Sequence, residues 1–165
     1  MSQLGATVAA VPTNAKGGSL MTTKLTTKLD RIPLEILNQG KFQVIDELYA
    51  PDFRERSVQP GMAPTREGYK KFVMSLRTAF PDLHYTIDDS IESGDRFVTR
   101  LTASGTMRGE FSGMPATNKH ATWTEIHILR VKDDLVVEHW GLIQELGMMV
   151  QLGVIPAPGR TLVTA

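Results

Sequence analysis

The sequence predicts an α+β domain in which a curved antiparallel sheet wraps around helices from the N-terminal half. Up to Phe80 the apolar residues recur every three or four positions, the spacing of helices with one buried face. From Leu83 onward they alternate with polar residues, the spacing of strands with one buried face. Helices first and a run of long strands afterwards indicate segregated α+β rather than alternating parallel units.

Residues 1–27 are rich in Gly, Ala, Thr and Ser without apolar periodicity and read as a flexible leader, leaving 28–153 as the domain and 154–165 as a tail. Residues 6–11 are too short an apolar stretch, and lack the basic start, for a secretion signal. Met21, just after Gly17-Gly18-Ser19, is a candidate physiological start. From Leu25, the residues Leu29, Ile32, Ile36 and Leu37 mark a helix bent by Pro33, and Asn38-Gln39-Gly40 end it. Phe42, Ile45, Leu48 and Tyr49 give a short second helix that Pro51 stops. A brief strand over 53–58 and a proline-glycine loop over 59–64 follow. Thr65 then caps a helix whose apolar stripe is Tyr69, Phe72, Val73, Leu76 and Phe80. Strands over 83–91 and 96–107 flank a Gly94-Asp95 turn, a loop covers 109–119, two more strands cover 121–131 and 135–144, and a short helix covers 145–152.

The 165 residues suit one domain with a real core. Lys plus Arg equal Asp plus Glu at 18 each, so no basic excess favours nucleic acid or an anionic membrane. The chain has no cysteine, which removes thiolate catalysis, disulfides and cysteine metal sites and makes reducing cytoplasm the expected location. No apolar run approaches the roughly 18 residues of a membrane span.

Functional signal concentrates in the last two strands. With side chains alternating, Trp123, Glu125, His127, Leu129 and Val131 share one face of the first, and Leu135, Val137, His139, Gly141 and Ile143 one face of the second. A three-residue connection, Lys132-Asp133-Asp134, would set His127 opposite His139, Glu125 opposite Gly141 and Leu129 beside Val137. A two-residue turn would slip the register by one and send the histidines to opposite faces. On the first reading Glu125, His127 and His139 are candidate acid–base groups on an apolar wall. The glycine at 141 leaves room for the Glu125 carboxylate, and of two imidazoles so close one is expected to stay neutral. Trp123, Gly141, Ile143, Tyr69 and Phe72 are candidate pocket residues. Two other readings stay open: the three polar groups simply bond one another in a wet cavity, or they hold a metal ion, although no helix motif of metal-ligand spacing supports the second.

The segments LYAPDF, TREGYKKFVMSLRTAFPDL, GDRFVTRLTASGTMRGEFSGMPATNK and VVEHWGLIQELGMMVQLG, in that order, resemble the SnoaL-like polyketide cyclase family across roughly residues 29–153. The resemblance implies the cone-shaped nuclear-transport-factor-2-like fold, and a cofactor-independent aldol or isomerase chemistry on a small apolar or aromatic carbonyl substrate. It also implies histidines at 127 and 139 and an acid two positions after the second. Here that position is Gly141, so a binding or assembly module of the same fold, or a related hydrolase, is the alternative. Arg56 stands where relatives often carry histidine; it would hold an anionic substrate group at the pocket mouth, or else pair on the surface. The opposite sheet face, with Ile126, Ile128, Val136, Trp140 and Leu142, would stay wet in a monomer, and a homodimer or larger homo-oligomer is expected.

Overall fold

The computed structural model describes residues 24–157 and 159. Among the described residues the α-helices and strands follow one another as α1 (Lys24–Leu29), α2 (Gln43–Leu48), β1 (Tyr49–Glu55), α3 (Arg66–Ala79), β2 (His84–Ser93), β3 (Arg96–Thr106), β4 (His120–Lys132), β5 (Leu135–Ile143) and α4 (Glu145–Leu152). The helix expected from Leu25 begins at Lys24, so the last residues assigned to the leader, 24–27, are helical. The rest of the expected leader, with Met21, lies outside the described residues.

Between α1 and α2 the chain winds a π-helical turn, Ile32–Leu37. Pro33 has no N–H to give, and the Asn38 N–H reaches back five residues to the Pro33 carbonyl at 3.0 Å. Thr65 caps α3 as expected, its hydroxyl accepting from the Gly68 N–H at 3.2 Å. A Cβ on Gly68 would lie 2.0 Å from the Ala63 carbonyl oxygen, so the chain can enter α3 this tightly only through glycine. Leu29, Ile36, Leu48, Val73 and Leu76 from the helical half meet Phe97, Leu101, Trp123 and Leu129 from the sheet in one buried cluster.

The strand order is β1-β5-β4-β3-β2. From β2 to β5 every pairing is antiparallel, but β1 runs parallel to β5, so the sheet is mixed rather than wholly antiparallel. Pro51, expected to stop a helix, lies within β1. It is tolerated there because β1 is an edge strand.

The β4–β5 hairpin decides where the polar groups go, and it differs from expectation. Lys132 pairs Leu135 across a two-residue turn of Asp133 and Asp134, both at positive φ, 50° and 61°. Alone, that turn would put the histidines on opposite faces. A bulge corrects it: Val131 pairs Val136 while Arg130 pairs Glu138, so Val137 is one residue extra and the parity is restored. Beyond the bulge His127 faces Gly141, Leu129 faces His139 and Glu125 faces Ile143, two residues from the expected register. Both histidines therefore stay on the inner face. The two-residue turn, by pairing Val136 with Val131 of the inner face, also brings Val136, expected on the outer face, into the core, where it is fully buried.

Both aspartates of the turn carry the left-handed strain of a residue with a Cβ, so Asp134→Gly should stabilise the chain by up to about 1 kcal/mol. The urea midpoint measures this, and a lower midpoint would contradict the turn assignment.

Candidate active site

On the inner face of the sheet, four polar side chains form a continuous row. A Glu55 carboxylate oxygen lies 2.6 Å from Nδ1 of His139, Nε2 of His139 lies 2.8 Å from Nδ1 of His127, and Nε2 of His127 lies 2.8 Å from Oε2 of Glu125. The two imidazole rings are nearly parallel, their centroids 5.1 Å apart. The other Glu125 oxygen accepts from the Trp123 indole N–H at 2.6 Å and from the Tyr85 hydroxyl at 3.1 Å. The second Glu55 oxygen accepts from the Ser57 N–H at 2.8 Å. Both carboxylates are only 3% exposed, which would be costly without these donors.

Each member of the row is placed by strand alternation. Trp123, Glu125 and His127 are successive inner positions of β4, His139 and Gly141 of β5, and Phe53 and Glu55 of β1. The glycine at 141 has a steric role as well. A Cβ there would meet His127 Nδ1 at 3.1 Å and His139 Nε2 at 3.3 Å, so the side-chain-free position lets the rings close on each other. The space expected to admit the Glu125 carboxylate is taken by the imidazoles.

Above the row lies a cavity with an apolar wall. Tyr69, Phe72, Trp123, Gly141 and Ile143 line it, as the sequence reading proposed, together with Glu125, His127 and His139. Gln59, Met62, Phe111, Ser112 and Glu145, from two loops and the start of α4, line it as well. The Tyr69 ring meets His139 edge-on at 5.8 Å.

Arg56 is not among the lining residues. As the neighbour of inward-facing Glu55 it points outward, where its guanidinium pairs with Glu138. Glu55, Tyr85 and Ser57 belong to the site and were not singled out from the sequence. For Glu55 a signal existed: it shares strand parity with Phe53, and an acid on the buried face of a strand needs a partner. His84 and His120, the other two histidines, are exposed.

Burial alone would raise the Glu125 carboxyl, but the hydrogen bonds from His127, Trp123 and Tyr85 outweigh it and hold the group below the ordinary carboxylate range. Burial pushes His139 below the ordinary imidazole range, against the pull of Glu55. Burial, joined by the negative charges of Glu55 and Glu125, pushes the Tyr69 phenol far up, so it remains a protonated donor. Among the described residues no group of three His, Asp or Glu converges so as to hold a metal ion; the ring nitrogens are turned toward each other and toward the carboxylates. Also among the described residues, no helix is long and apolar enough to cross a membrane.

The family model for SnoaL-like polyketide cyclases matches residues 27–152. The chain belongs to the SnoaL-like polyketide cyclase family. It is similar to the aklanonic acid methyl ester cyclase DnrD of Streptomyces peucetius, 27% identical over 122 residues that span 74% of each chain. Among solved structures it is similar to TsrD of Streptomyces laurentii, with TM-score 0.73 and 27% identity over 79% of this chain and 96% of that one. IdmH, a candidate polyketide cyclase of Streptomyces antibioticus, gives TM-score 0.69 and 31% identity over 79% and 99% of the two chains. The α+β fold of this SnoaL-like chain, a mixed five-stranded sheet with few helices, is that of these neighbours.

The lowered values of Glu125 and His139 carry the same sign for stability. In each case the folded chain binds protons less readily than the unfolded one, so the stabilisation is present above the ordinary values of 4.5 and 6.5 and is lost as pH falls below them. The urea midpoint should therefore drop between pH 7 and pH 4, and less steeply in a Glu125→Gln, His139→Gln double variant. Equal slopes in the two proteins would show that these groups do not couple folding to pH.

Proposed function

We propose that this chain is a cofactor-independent acid–base catalyst that cyclises or isomerises a largely apolar, polyketide-derived carbonyl compound. The observation that supports this best is a buried carboxylate, Glu125, lining an aromatic cavity with an imidazole nitrogen 2.8 Å from one oxygen, its hydrogen bonds holding it below the ordinary carboxylate range. A proton on carbon between two carbonyls is already labile, so one positioned base in a dry pocket suffices to remove it. In the proposed aldol closure Glu125 takes that proton and the C–H electron pair becomes the enolate. The enolate carbon then bonds to the acceptor carbonyl carbon, whose π pair becomes an alkoxide. His127 gives the alkoxide its Nε2 proton, and the proton on Glu125 returns to His127 along their 2.8 Å contact, so the cycle balances. Tyr69 supplies a further donor on the wall for the developing oxyanion.

Exchange of an α-proton with solvent reads the first step without knowledge of the natural substrate. With an aromatic 1,3-dicarbonyl ester in D2O, this chain should accelerate deuterium uptake over buffer, and Glu125→Gln or His127→Ala should lower that rate by about 10²- to 10⁴-fold. Unchanged rates in both variants would remove the pair from the mechanism. Binding of such esters without exchange would favour the second reading, a small-ligand-binding module, for which the glycine at 141 is the supporting observation.

A homodimer belongs to the same proposal. Ile126, Ile128 and Leu142 remain exposed on the outer face of the sheet, Leu142 by 73%, beside a Trp140 ring covered by Arg96 at 5.2 Å. Pairing two such faces would bury them. Sedimentation at micromolar concentration should give a dimer that Leu142→Glu dissociates; a monomeric parent chain would refute this.

A further inference from the structure

The row of polar groups has a proton inventory that its geometry dictates. Three contacts, at 2.6, 2.8 and 2.8 Å, join Glu55, His139, His127 and Glu125, and each is short enough to require one hydrogen between its heavy atoms. Two neutral imidazoles own one N–H each. If both N–H groups point to the carboxylates, the two nitrogens that face each other at 2.8 Å meet lone pair to lone pair. From this geometry we infer that the four groups hold three ring protons as one unit, with a single positive charge on the histidine pair, and that Glu55 is the positioning residue that sets this state. The inference rests on the acid–base reading of the site and gives it a residue that acts without touching substrate.

Glu55 can do this because its orientation is fixed. One oxygen takes the Ser57 N–H, which leaves the other aimed at His139 Nδ1. A carboxylate only accepts, so His139 must carry its proton on Nδ1 and turn the bare Nε2 toward His127. His127 then fills the gap with an Nδ1 proton and keeps its Nε2 proton for Glu125, becoming the charged partner of the base. The downward push of burial on His139 acts in the same direction. The arrangement also needs position 141 to lack a side chain, since a Cβ would stand 3.1 Å from His127 Nδ1.

Other titratable groups face the pair from each surrounding element: Tyr49 of β1, Tyr69 of α3, Tyr85 of β2 and, across a smaller cavity behind the rings, Asp30 after α1. The three phenols are buried, which holds them neutral. Burial also raises the Asp30 carboxyl. Glu55 and Glu125 are therefore the carboxylates in direct contact with the rings.

Replacing Glu55 by Gln reverses the logic. The amide can donate to His139 Nδ1, His139 then donates from Nε2 to His127, and every contact is filled with two ring protons and no imidazolium. The experiment is nitrogen NMR of the full chain with labelled histidine at pH 7, with His84 and His120 assigned by Asn substitution. The parent chain should show three protonated ring nitrogens in the pair and one bare acceptor, and Glu55→Gln should show two of each. The high-pH limb of the deuterium-exchange profile should move down by at least one pH unit in Glu55→Gln and return in Glu55→Asp. Gly141→Ala should lose the third ring proton as well. Two ring protons in the parent chain, or three retained in Glu55→Gln, would overturn the inference even if exchange is catalysed. Three ring protons that fall to two in Glu55→Gln, without exchange in the parent chain, would uphold it and refute the cyclase reading instead.

Discussion

The parity of the β4–β5 hairpin is the constraint on which the site depends. A tight turn and a single extra residue, Val137, each shift the register by one, and together they return His139 to the face that already carries His127 and Glu125. Either device alone would place one imidazole among the exposed Ile126, Ile128 and Leu142 of the outer face. The tight turn also sends Val136 inward, and its pairing with Tyr49 helps seat the strand that delivers Glu55.

Once both rings face inward, burial makes hydrogen bonding obligatory. Glu55 and Glu125 are nearly free of water, and each spends its oxygens on donors from several segments: β5 and the turn after β1 for the first, β2 and β4 for the second. The row thus ties the sheet together at its centre while keeping a carboxylate ionised beneath an apolar cavity. Stability and the proposed chemistry draw on one set of contacts, because the donors that hold Glu125 ionised also fix where it points.

The glycine at 141 changes meaning in this setting. From sequence it reads as the loss of an acid expected from the family. In the structure its missing side chain is the space that the two imidazoles occupy, and the buried acid contributed from elsewhere, Glu55, reaches them through His139. Family membership accounts for the fold; the arrangement of carboxylates and imidazoles follows from where these residues lie on β1, β4 and β5.

The α+β order, the helix from Thr65 with its apolar stripe, and the shared face of Trp123, Glu125 and His127 were all legible in the chain, because period and capping are local properties. Five of the proposed pocket residues line the cavity for the same reason: alternation along a strand and spacing along a helix are set by backbone geometry alone. The parallel docking of β1, the bulge at Val137, the inward turn of Val136, the burial of Glu55 and the outward pairing of Arg56 with Glu138 were decided only by the tertiary structure. Each depends on which strand lies alongside and on how one register slip compensates another, and such energies arise between segments far apart in sequence that become neighbours only when the sheet forms.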